Sequence, residues 1–255
     1  MQYAICSAAL CPLRAEPSHK AEMVSQLLFG ESCLILDKSA DHWIKIRCKY
    51  DGYGGWCQDS HILEVDQSFY EQEKGLTRKW ITEIDFAGSL LNVPLGSSLP
   101  FTKKARLDGS GIRIHYEGKT WNPLREKTTK AAIKKLAYSF LGTPYLWGGK
   151  TVFGTDCSGY TQTVFRFFNI NLSRDAWQQA LQGTEVRKLE DSKFGDLAFF
   201  DNDAGKITHV GILLNKHKII HASGKVREDK INSEGIINVD TQQQTHKLKI
   251  IKRFL

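Results

Sequence analysis

The chain has 255 residues, 41% hydrophobic and 25% charged, an ordinary composition for a soluble globular protein. This length exceeds the usual size of a single core and predicts two or three domains. The sequence has no run of about 18 apolar residues, so we expect no membrane partner. The 35 basic and 28 acidic residues give a net charge of +7. The basic residues are dispersed, as in Lys134-Lys135, so nucleic acid is not an expected partner either.

The cysteine spacing excludes common zinc motifs. No C-x-x-C pair occurs, and five of the six cysteines lie within the first 57 residues, an odd number for a closed disulfide framework. We therefore predict reduced thiols that act as small hydrophobic residues. We also expect neither a metal nor an organic cofactor. The cysteines are Cys6, Cys11, Cys33, Cys48, Cys57 and Cys157.

Short strands separated by turns are predicted in the first half of the chain. Residues 43–48 alternate apolar and polar side chains, which indicates a half-buried strand, and Asp51-Gly52 is a hairpin signal. This pattern predicts a small β-barrel over residues 1–65. A weaker version of it, with strands at 80–84 and 112–116, predicts a second small β domain over residues 66–126.

Helices are predicted next, within a third domain at residues 127–255. Thr128 or Thr129 can cap a helix that Gly142 ends. The apolar face of this helix comprises Ile133, Leu136, Ala137, Phe140 and Leu141. A second helix should follow Cys157, with one face formed by Cys157, Tyr160, Thr161, Val164, Phe165 and Phe168. Strand-like runs follow at residues 196–200, 209–214 and 218–222. Helices followed by an antiparallel sheet predict an α+β domain.

Cys157 is a candidate nucleophile because of its position. With Thr155 or Asp156 as the N-cap, its sulfur lies in the first helical turn, where unpaired N–H groups and the helix dipole favour a thiolate. The same N–H groups could stabilise an oxyanion, and the small Ser158 and Gly159 would let a substrate approach the backbone. Taken alone, Cys157 could equally be a buried cysteine that packs the helix.

Two histidines on the predicted strands favour the catalytic interpretation. If residues 215–217 form a three-residue turn, His221 lies opposite Gly211 and diagonal to His209, on one face of the sheet. Gly211 leaves room for the two rings to meet, so that one ring can orient the other. The alternative is a pair of core histidines. The remaining histidines are predicted at the surface: His19, His42, His61, His115, His217 and His246.

The region from about residue 128 to 255 resembles the NlpC/P60 family of cysteine peptidases, within the papain-like superfamily. The resemblance is carried by the segments 142–149 (GTPYLWGG), 156–159 (DCSG), 195–197 (GDL), 209–212 (HVGI) and 221–222 (HA). It implies that Cys157 is the nucleophile, His209 the base and His221 the orienting third member. It also implies that Tyr145 lies near the oxyanion site.

The front of the chain resembles the bacterial SH3-like domain of the YkfC-type γ-D-glutamyl-L-diamino acid endopeptidases, through residues 17–31 and 51–56. In that group the first SH3-like domain covers part of the active site and reads the free amino end of L-Ala. The resemblance implies substrate contacts at Glu22, Tyr53, Trp147, Asp156, Ser158 and Asp175. This chain has Ser173 and Ala176 where the group often has Pro and Ser, which affects the hydrogen bonding after Asp175.

The carboxylates among these residues suit a substrate ammonium, because a buried unpaired charge is costly. Glu22 and Asp175 could also be ordinary surface or capping carboxylates, and Asp156 as a plain N-cap fits either interpretation. Barrel packing is the alternative for Tyr53, and packing under the helix is the alternative for Trp147.

We therefore expect a papain-like NlpC/P60 catalytic domain of the α+β class, preceded by two small all-β SH3-like barrels. The expected reaction is hydrolysis of the γ-D-glutamyl–L-diamino acid bond of murein tripeptides or tetrapeptides with a free L-Ala, by a monomer, in murein recycling. Alternatives are an amidase or acyltransferase on the same scaffold, and a non-catalytic cell-wall-binding protein. The first residues lack a basic start and a long apolar core, which predicts a cytoplasmic location, or a periplasmic one if a leader has been removed.

Overall fold

The computed structural model describes residues 2–39, 41–101, 104–106 and 112–255, with the backbone alone for 104–106. The chain divides into two compact units, Met1–Glu126 and Lys127–Leu255. Among the described residues, no helix has the length and apolar character needed to span a bilayer.

Strands dominate the described residues of the first unit. They are β1 (Gln2–Cys6), β2 (Leu10–Arg14), β3 (Met23–Leu28), β4 (Ser32–Lys38), β5 (Trp43–Cys48), β6 (Gly54–Gln58), β7 (Ile62–Glu64), β8 (Lys74–Leu76), β9 (Ile81–Phe86), β10 (Ser89–Pro94), β11 (Ser98–Pro100), β12 (Lys104–Arg106) and β13 (Arg113–Tyr116). A 3-10 turn covers Asp59–His61, and the short helix α1 covers Gln67–Glu71. The sheets run in the orders β3-β2-β6-β5-β4-β1-β7, β10-β9-β13-β12 and β11-β8.

The hairpin between β5 and β6 agrees with the sequence pattern. Along β5, Lys45 and Arg47 are exposed while Ile44, Ile46 and Cys48 are buried. Gly52 lies in the turn with φ of +71°, a conformation that glycine adopts at little cost. The half-buried strand and its turn are confirmed.

All five cysteines of the first unit are free thiols and lie in one core cluster. They pack there with larger residues such as Leu13 and Ile46. Burial raises the pKa of Cys33, so its thiol is neutral at physiological pH. Their use as small hydrophobic residues follows from this packing.

A second core cluster of the same unit joins the two β regions that the sequence separates. Ile5 and Phe29 pack there with Ile84, Val93 and Ile114. The boundary predicted near residue 66 therefore falls inside one compact unit. The division of residues 1–126 into two SH3-like domains stays a prediction.

The second unit places helices before an antiparallel sheet. Its helices are α2 (Lys130–Tyr138), α3 (Cys157–Arg166) and α4 (Ala176–Gln179), with a 3-10 turn at Leu189–Asp191. Its strands are β14 (Lys150–Thr151), β15 (Gly154–Thr155), β16 (Thr184–Val186), β17 (Leu197–Asp201), β18 (Ile207–Asn215), β19 (Lys218–Ser223), β20 (Lys225–Ile231), β21 (Gly235–Ile237) and β22 (Gln244–Arg253). The predicted α+β class is confirmed.

The helices differ from the sequence pattern in two respects. Thr129 caps α2 by accepting a 3.2 Å hydrogen bond from the N–H of Ala132, but the helix ends at Tyr138 and Leu141 is 49% exposed. Helix α3 is buried at every position from Cys157 to Phe165 rather than along one face. Burial extends beyond the predicted face because α3 is enclosed by other elements, among them α2, α4, β14, β18 and β19.

The main sheet closes on itself. Its order is β16-β22-β17-β18-β19-β20-β21, and β22 also pairs with β21. A register shift between Phe199 and Phe200 alters the pairing of β17 with β22. Strands β18, β19 and β20 follow one another as neighbours, which brings residues of three successive strands side by side.

Candidate active site

Cys157 is the first residue of α3, as the sequence predicts. Of the two candidate N-caps, Asp156 takes the role, and its Oδ1 accepts a 2.6 Å hydrogen bond from the N–H of Gly159. The thiol is 5% exposed and lies 3.9 Å from the carbonyl oxygen of Thr208, the residue before His209. The start of the helix therefore faces the strand that carries the candidate base.

A glycine contact holds the preceding loop against α3. A Cβ added to Gly159 would clash with the carbonyl oxygen of Gly149, so the small residue at this helical position is required by close packing. The N–H of Gly148 donates to Oδ2 of Asp156 at 2.9 Å. Trp147, a predicted substrate contact, lies on this loop and is 60% exposed. It therefore does not pack under the helix.

Arg174 belongs to the site and was not predicted from the sequence. It is 1% exposed, and its two terminal nitrogens bind the two carboxylate oxygens of Asp156. It also donates to Oγ of Ser158 at 2.9 Å. A buried arginine with no charged partner would be very costly, so a search for a carboxylate opposite Arg174 could have found the pair.

The pairing with Arg174 changes the role expected of Asp156. Oδ1 faces the donors of Gly159, Ser158 and Arg174, and Oδ2 faces those of Gly148 and Arg174. The charge that was predicted to hold a substrate ammonium is thus already matched by a guanidinium. Ser158, also a predicted substrate contact, is bound within the same network.

His209 and His221 meet as predicted. Gly211 pairs with His221 across β18 and β19, and Nε2 of His209 lies 2.8 Å from Nδ1 of His221. The connecting turn differs in detail, because Asn215 pairs with Lys218 and a bulge precedes it. The observed turn is one residue shorter than predicted, and the bulge adds one residue to β18. The two changes cancel, so Gly211 still pairs with His221 as predicted.

Gly211 is the position that allows this contact. A Cβ built there would lie 2.8 Å from Cβ of His221 and 2.8 Å from Cδ1 of Ile219. Side chains at directly opposed positions of antiparallel strands are close neighbours. The absence of a side chain at Gly211 therefore leaves the space that the two rings occupy.

Asp229 extends the histidine pair and was missed by the sequence analysis. It lies on β20, and its Oδ2 is 2.9 Å from Nε2 of His221. Arg227 forms an ion pair with the same oxygen at 3.0 Å and with Asp240 at 2.7 Å. The position of Asp229, eight residues after His221, was the only hint in the sequence. Asp229 was missed because the surrounding run is highly charged and does not resemble a strand.

The prediction that His246 lies at the surface was wrong. Its ring stacks on that of His209, with centroids 4.1 Å apart and planes 29° apart. Its Nδ1 lies 2.8 Å from Oγ1 of Thr245. Burial and the charge of His221 lower the pKa of His246 to about 4. His61 and His115 are also partly buried rather than exposed.

The electrostatics of the resting site oppose the predicted thiolate. Burial and the nearby Asp156 charge raise the pKa of Cys157 to about 12, although the N–H groups of Val210 and Ser158 and the charge of Arg174 lower it. Burial and the neighbouring histidines hold the pKa of His209 well below its ordinary value. Desolvation outweighs the helix N-terminus. The resting pair is therefore a neutral thiol and a neutral imidazole.

Tyr145 lies beside the reacting residues. Its N–H donates to the carbonyl of Gly224 at 2.9 Å, and it forms a β-bridge with Thr155. Burial, followed by the charges of Cys157 and Asp156, raises the pKa of Tyr145. Its phenol is thus a neutral hydrogen-bond donor near the nucleophile, which suits the predicted role near the oxyanion site.

The remaining predicted contacts lie elsewhere. Asp175 is the N-cap of α4, and its N–H donates to Oε1 of Gln178 at 3.2 Å. Glu22 is exposed just before β3, and Tyr53 is half-buried against the first core cluster, with its N–H donating to Asp51 at 3.0 Å. Glu22 and Tyr53 belong to the first unit, whereas the other predicted site residues belong to the second. Among the described residues, no cluster of His, Cys, Asp and Glu is arranged to hold a metal ion.

Helices on an antiparallel sheet, with a cysteine at a helix N-terminus beside a strand histidine, define the papain-like class of fold. Residues 142–245 match the NlpC/P60 family, and residues 13–62 match the bacterial dipeptidyl-peptidase SH3 domain. The chain belongs to the NlpC/P60 family of peptidases and carries an SH3-like region in front of its peptidase domain.

Known proteins support this placement. A γ-D-glutamyl-L-lysine dipeptidyl-peptidase of Bacillus subtilis is 29% identical over 214 residues, 78% of this chain and 71% of that protein. A probable endopeptidase of Haemophilus influenzae is 39% identical over 112 residues, 43% of this chain and 67% of that protein. The crystal structure of an NlpC/P60 family protein from Bacillus cereus matches the fold with a TM-score of 0.81, at 20% identity and 99% coverage of both chains.

Proposed function

We propose that this protein is a cysteine peptidase that hydrolyses the γ-D-glutamyl–L-diamino acid bond of murein tripeptides and tetrapeptides with a free N-terminal L-Ala. The observation that carries the proposal is the line of Cys157, His209 and His221 in an NlpC/P60 fold behind an SH3-like region. The name of the Bacillus subtilis relative supports the bond, because that protein is a γ-D-glutamyl-L-lysine dipeptidyl-peptidase. The proposal places the reaction in murein peptide recycling.

The chemistry begins from the neutral pair. Cys157 passes its proton to His209 as its sulfur attacks the carbonyl carbon of the γ-D-glutamyl group. In this proposal, N–H groups at the start of α3 and the Tyr145 hydroxyl stabilise the oxyanion. His209 then protonates the departing amine, and water attacks the acyl-enzyme to release L-Ala-γ-D-Glu.

Recognition of the free amine requires a carboxylate that pairs with the substrate ammonium. The carboxylate of Asp156 is already paired with the guanidinium of Arg174 in the buried network. Because the front of the chain resembles the SH3-like region of the γ-D-glutamyl-L-diamino acid endopeptidases, we assign the ammonium to Glu22, with Tyr53 and Asp175 as further substrate contacts. A charged hydrogen bond of this kind contributes about 1.5–3 kcal/mol.

The first experiment measures cleavage of L-Ala-γ-D-Glu-diamino acid peptides by the wild type and by Cys157→Ala, using mass spectrometry. We expect release of L-Ala-γ-D-Glu by the wild type and a loss of roughly 10⁴-fold or more in the variant. Lysine and diaminopimelate peptides are compared in parallel. If no peptide is cleaved, the non-catalytic cell-wall-binding alternative is favoured. Transfer of the acyl group to an added amine in place of water would indicate an acyltransferase.

The second experiment tests amine recognition with peptides whose N-terminus is free or acetylated. Glu22→Gln should raise KM for the free peptide by roughly tenfold or more, and leave the slower cleavage of the acetylated peptide unchanged. Glu16→Gln is the matched control, since Glu16 is an exposed carboxylate six residues away in the same segment. Equal cleavage of both peptides by the wild type would contradict the roles of Glu22 and Tyr53.

A further inference from the structure

Asp229 is a buried carboxylate that the roles of Cys157 and His209 do not by themselves explain. It is 3% exposed. Its Oδ2 lies 2.9 Å from Nε2 of His221 and 3.0 Å from Nε of Arg227, and its Oδ1 accepts a 2.8 Å hydrogen bond from the N–H of Val239. These partners compensate the loss of water and hold the carboxylate in one orientation.

The hydrogen bonds determine where the ring protons lie. Although burial raises the pKa of Asp229, the bonds from His221 and Val239 and the Arg227 charge hold it below its ordinary value, so the group is ionised. A carboxylate only accepts, so Nε2 of His221 carries a proton, and when that is the single proton of the ring Nδ1 is an acceptor. The 2.8 Å contact between His221 Nδ1 and His209 Nε2 then places a proton on that Nε2. A lone pair remains on Nδ1 of His209.

We propose that Asp229 is a positioning residue that, through His221, imposes the tautomer of His209 whose Nδ1 can take the proton of Cys157. In the part of the chain that the structure describes, this Nδ1 makes no hydrogen bond. The inference rests on the proposed roles of Cys157 and His209, and adds a residue that acts through two hydrogen bonds without touching the reacting atoms. Reversal of both ring tautomers would turn Nδ1 of His209 into a donor and block the base.

The same line of groups accommodates the charge that the reaction creates. The S–H bond of Cys157 breaks with its electron pair left on sulfur, and the proton forms an N–H bond at Nδ1 of His209. The resulting imidazolium donates through Nε2 to His221, whose opposite nitrogen faces the anionic Asp229. A carboxylate at the end of such a chain stabilises the imidazolium without itself becoming protonated.

The test is the tautomeric state of the histidine rings in the intact, substrate-free protein, measured by long-range ¹H–¹⁵N correlation NMR near pH 7.5. We expect His209 and His221 each to carry one ring proton, on Nε2. A wild-type spectrum with either proton on Nδ1 overturns the proposal without any variant. Because no substrate is present, failure of the proposed peptide cleavage would leave this result standing.

The variant Asp229→Asn tests whether Asp229 is the cause of these tautomers. Its amide can donate to Nε2 of His221, which moves the ring protons to Nδ1, and the same change in Ser-His-Asp enzymes lowers kcat about 10⁴-fold. We expect the altered tautomers together with a fall in kcat of roughly 10²–10⁴-fold at a nearly unchanged KM.

Asp240→Asn is the matched control, because Asp240 binds the same Arg227 at 2.7 Å. In this variant the tautomers of His209 and His221 and the value of kcat should equal those of the wild type. Unchanged tautomers in Asp229→Asn, or equal losses in both variants, would reduce Asp229 to a structural role.

Discussion

The reacting side chains are both uncharged before substrate arrives. The pKa of Cys157 is raised to about 12, mainly by burial, while that of His209 is lowered. Only the thiolate is nucleophilic, so the helix N-terminus alone does not activate this cysteine. Activation requires the proton to pass to His209 during the attack.

The neutral pair predicts a particular pH dependence for alkylation of Cys157. In the absence of substrate, the rate with iodoacetamide should rise about tenfold for each pH unit between pH 7 and 10, because the thiolate fraction does so below the pKa. Mass spectrometry of the peptide containing Cys157 gives the rate, and Cys157→Ser identifies any labelling at other thiols. A rate that is already constant below pH 7 would instead indicate a preformed thiolate–imidazolium pair.

Arg174 and Asp156 form a second residue-scale unit, which organises the start of α3. We expect Arg174→Leu to lower the free energy of unfolding by about 3–5 kcal/mol, since it leaves Asp156 buried and charged. The double variant Arg174→Leu/Asp156→Asn should recover part of that loss, because asparagine still caps a helix well. Denaturant unfolding measures both. Strictly additive losses would show that the two residues are not coupled.

At the scale of elements, the pairing of β18 with β19 brings the two histidines together through Gly211. The variant Gly211→Ala would place its Cβ 2.8 Å from His221 Cβ, an overpacking that costs about 1–3 kcal/mol. We expect displacement of His221 and a fall in kcat larger than the fall in melting temperature would explain. Gly54→Ala is the control, because an added Cβ there would have its nearest atom at 3.6 Å. A Gly211→Ala variant with His221 in its original position and a normal kcat would contradict this prediction.

The elements that were predictable have strong local signals. The capped start of α2, the β5–β6 hairpin and the β18–β19 register each follow from spacing within a few residues. Strand β20 was missed because its sequence KVREDKI is dominated by charge, which normally indicates a solvated face. Its Asp229 is buried because the Arg227 charge balances the carboxylate and His221 donates a hydrogen bond to it. These partners cannot be identified without knowing which strand lies beside β20.

His246 illustrates a second reason why sequence reasoning stopped short. It reaches His209 through β22, a strand paired with β16, β17 and β21. The pairing of β22 with β17 changes register between Phe199 and Phe200. Because one residue of register decides which face a side chain occupies, a long-range pairing with a bulge cannot be placed from local periodicity.

At the scale of the whole molecule, the buried histidines should make stability depend on pH. The pKa of His246 falls to about 4 in the folded protein, against roughly 6.5 in the unfolded chain. Between these values the unfolded chain takes up a proton that the folded protein does not. The free energy of unfolding therefore decreases as the pH falls from about 6.5 to about 4, and this contribution is constant below.

Replacement of His246 by phenylalanine removes the titration while keeping an aromatic ring against His209. The melting temperature of His246→Phe should accordingly fall less than that of the wild type between pH 7 and pH 4.5, with His209 still contributing in the same direction. Differential scanning calorimetry gives both curves. His217→Phe, at an exposed turn, is the control for loss of a histidine, and parallel curves for all three proteins would contradict the assignment.

Whole-molecule organisation was only partly predictable. A change in pattern after residue 126 marks the boundary between the two compact units, because helical periodicity replaces short alternating strands. Within the first unit, Phe29 and Ile84 share one core cluster although they belong to regions that the sequence separates. Local turn signals delimit strands, but they do not show which apolar faces pack on one another.

The Arg174–Asp156 pair also constrains how such a sequence can evolve. Its members are 18 residues apart, so separate mutations must alter them, and a change in either one alone leaves the other as a buried, unpaired ion. Any lineage that replaces the pair must pass through a poorly folding intermediate or change both codons together. Drift is therefore slow at these two positions, and substitutions there should appear jointly in descendants of this protein.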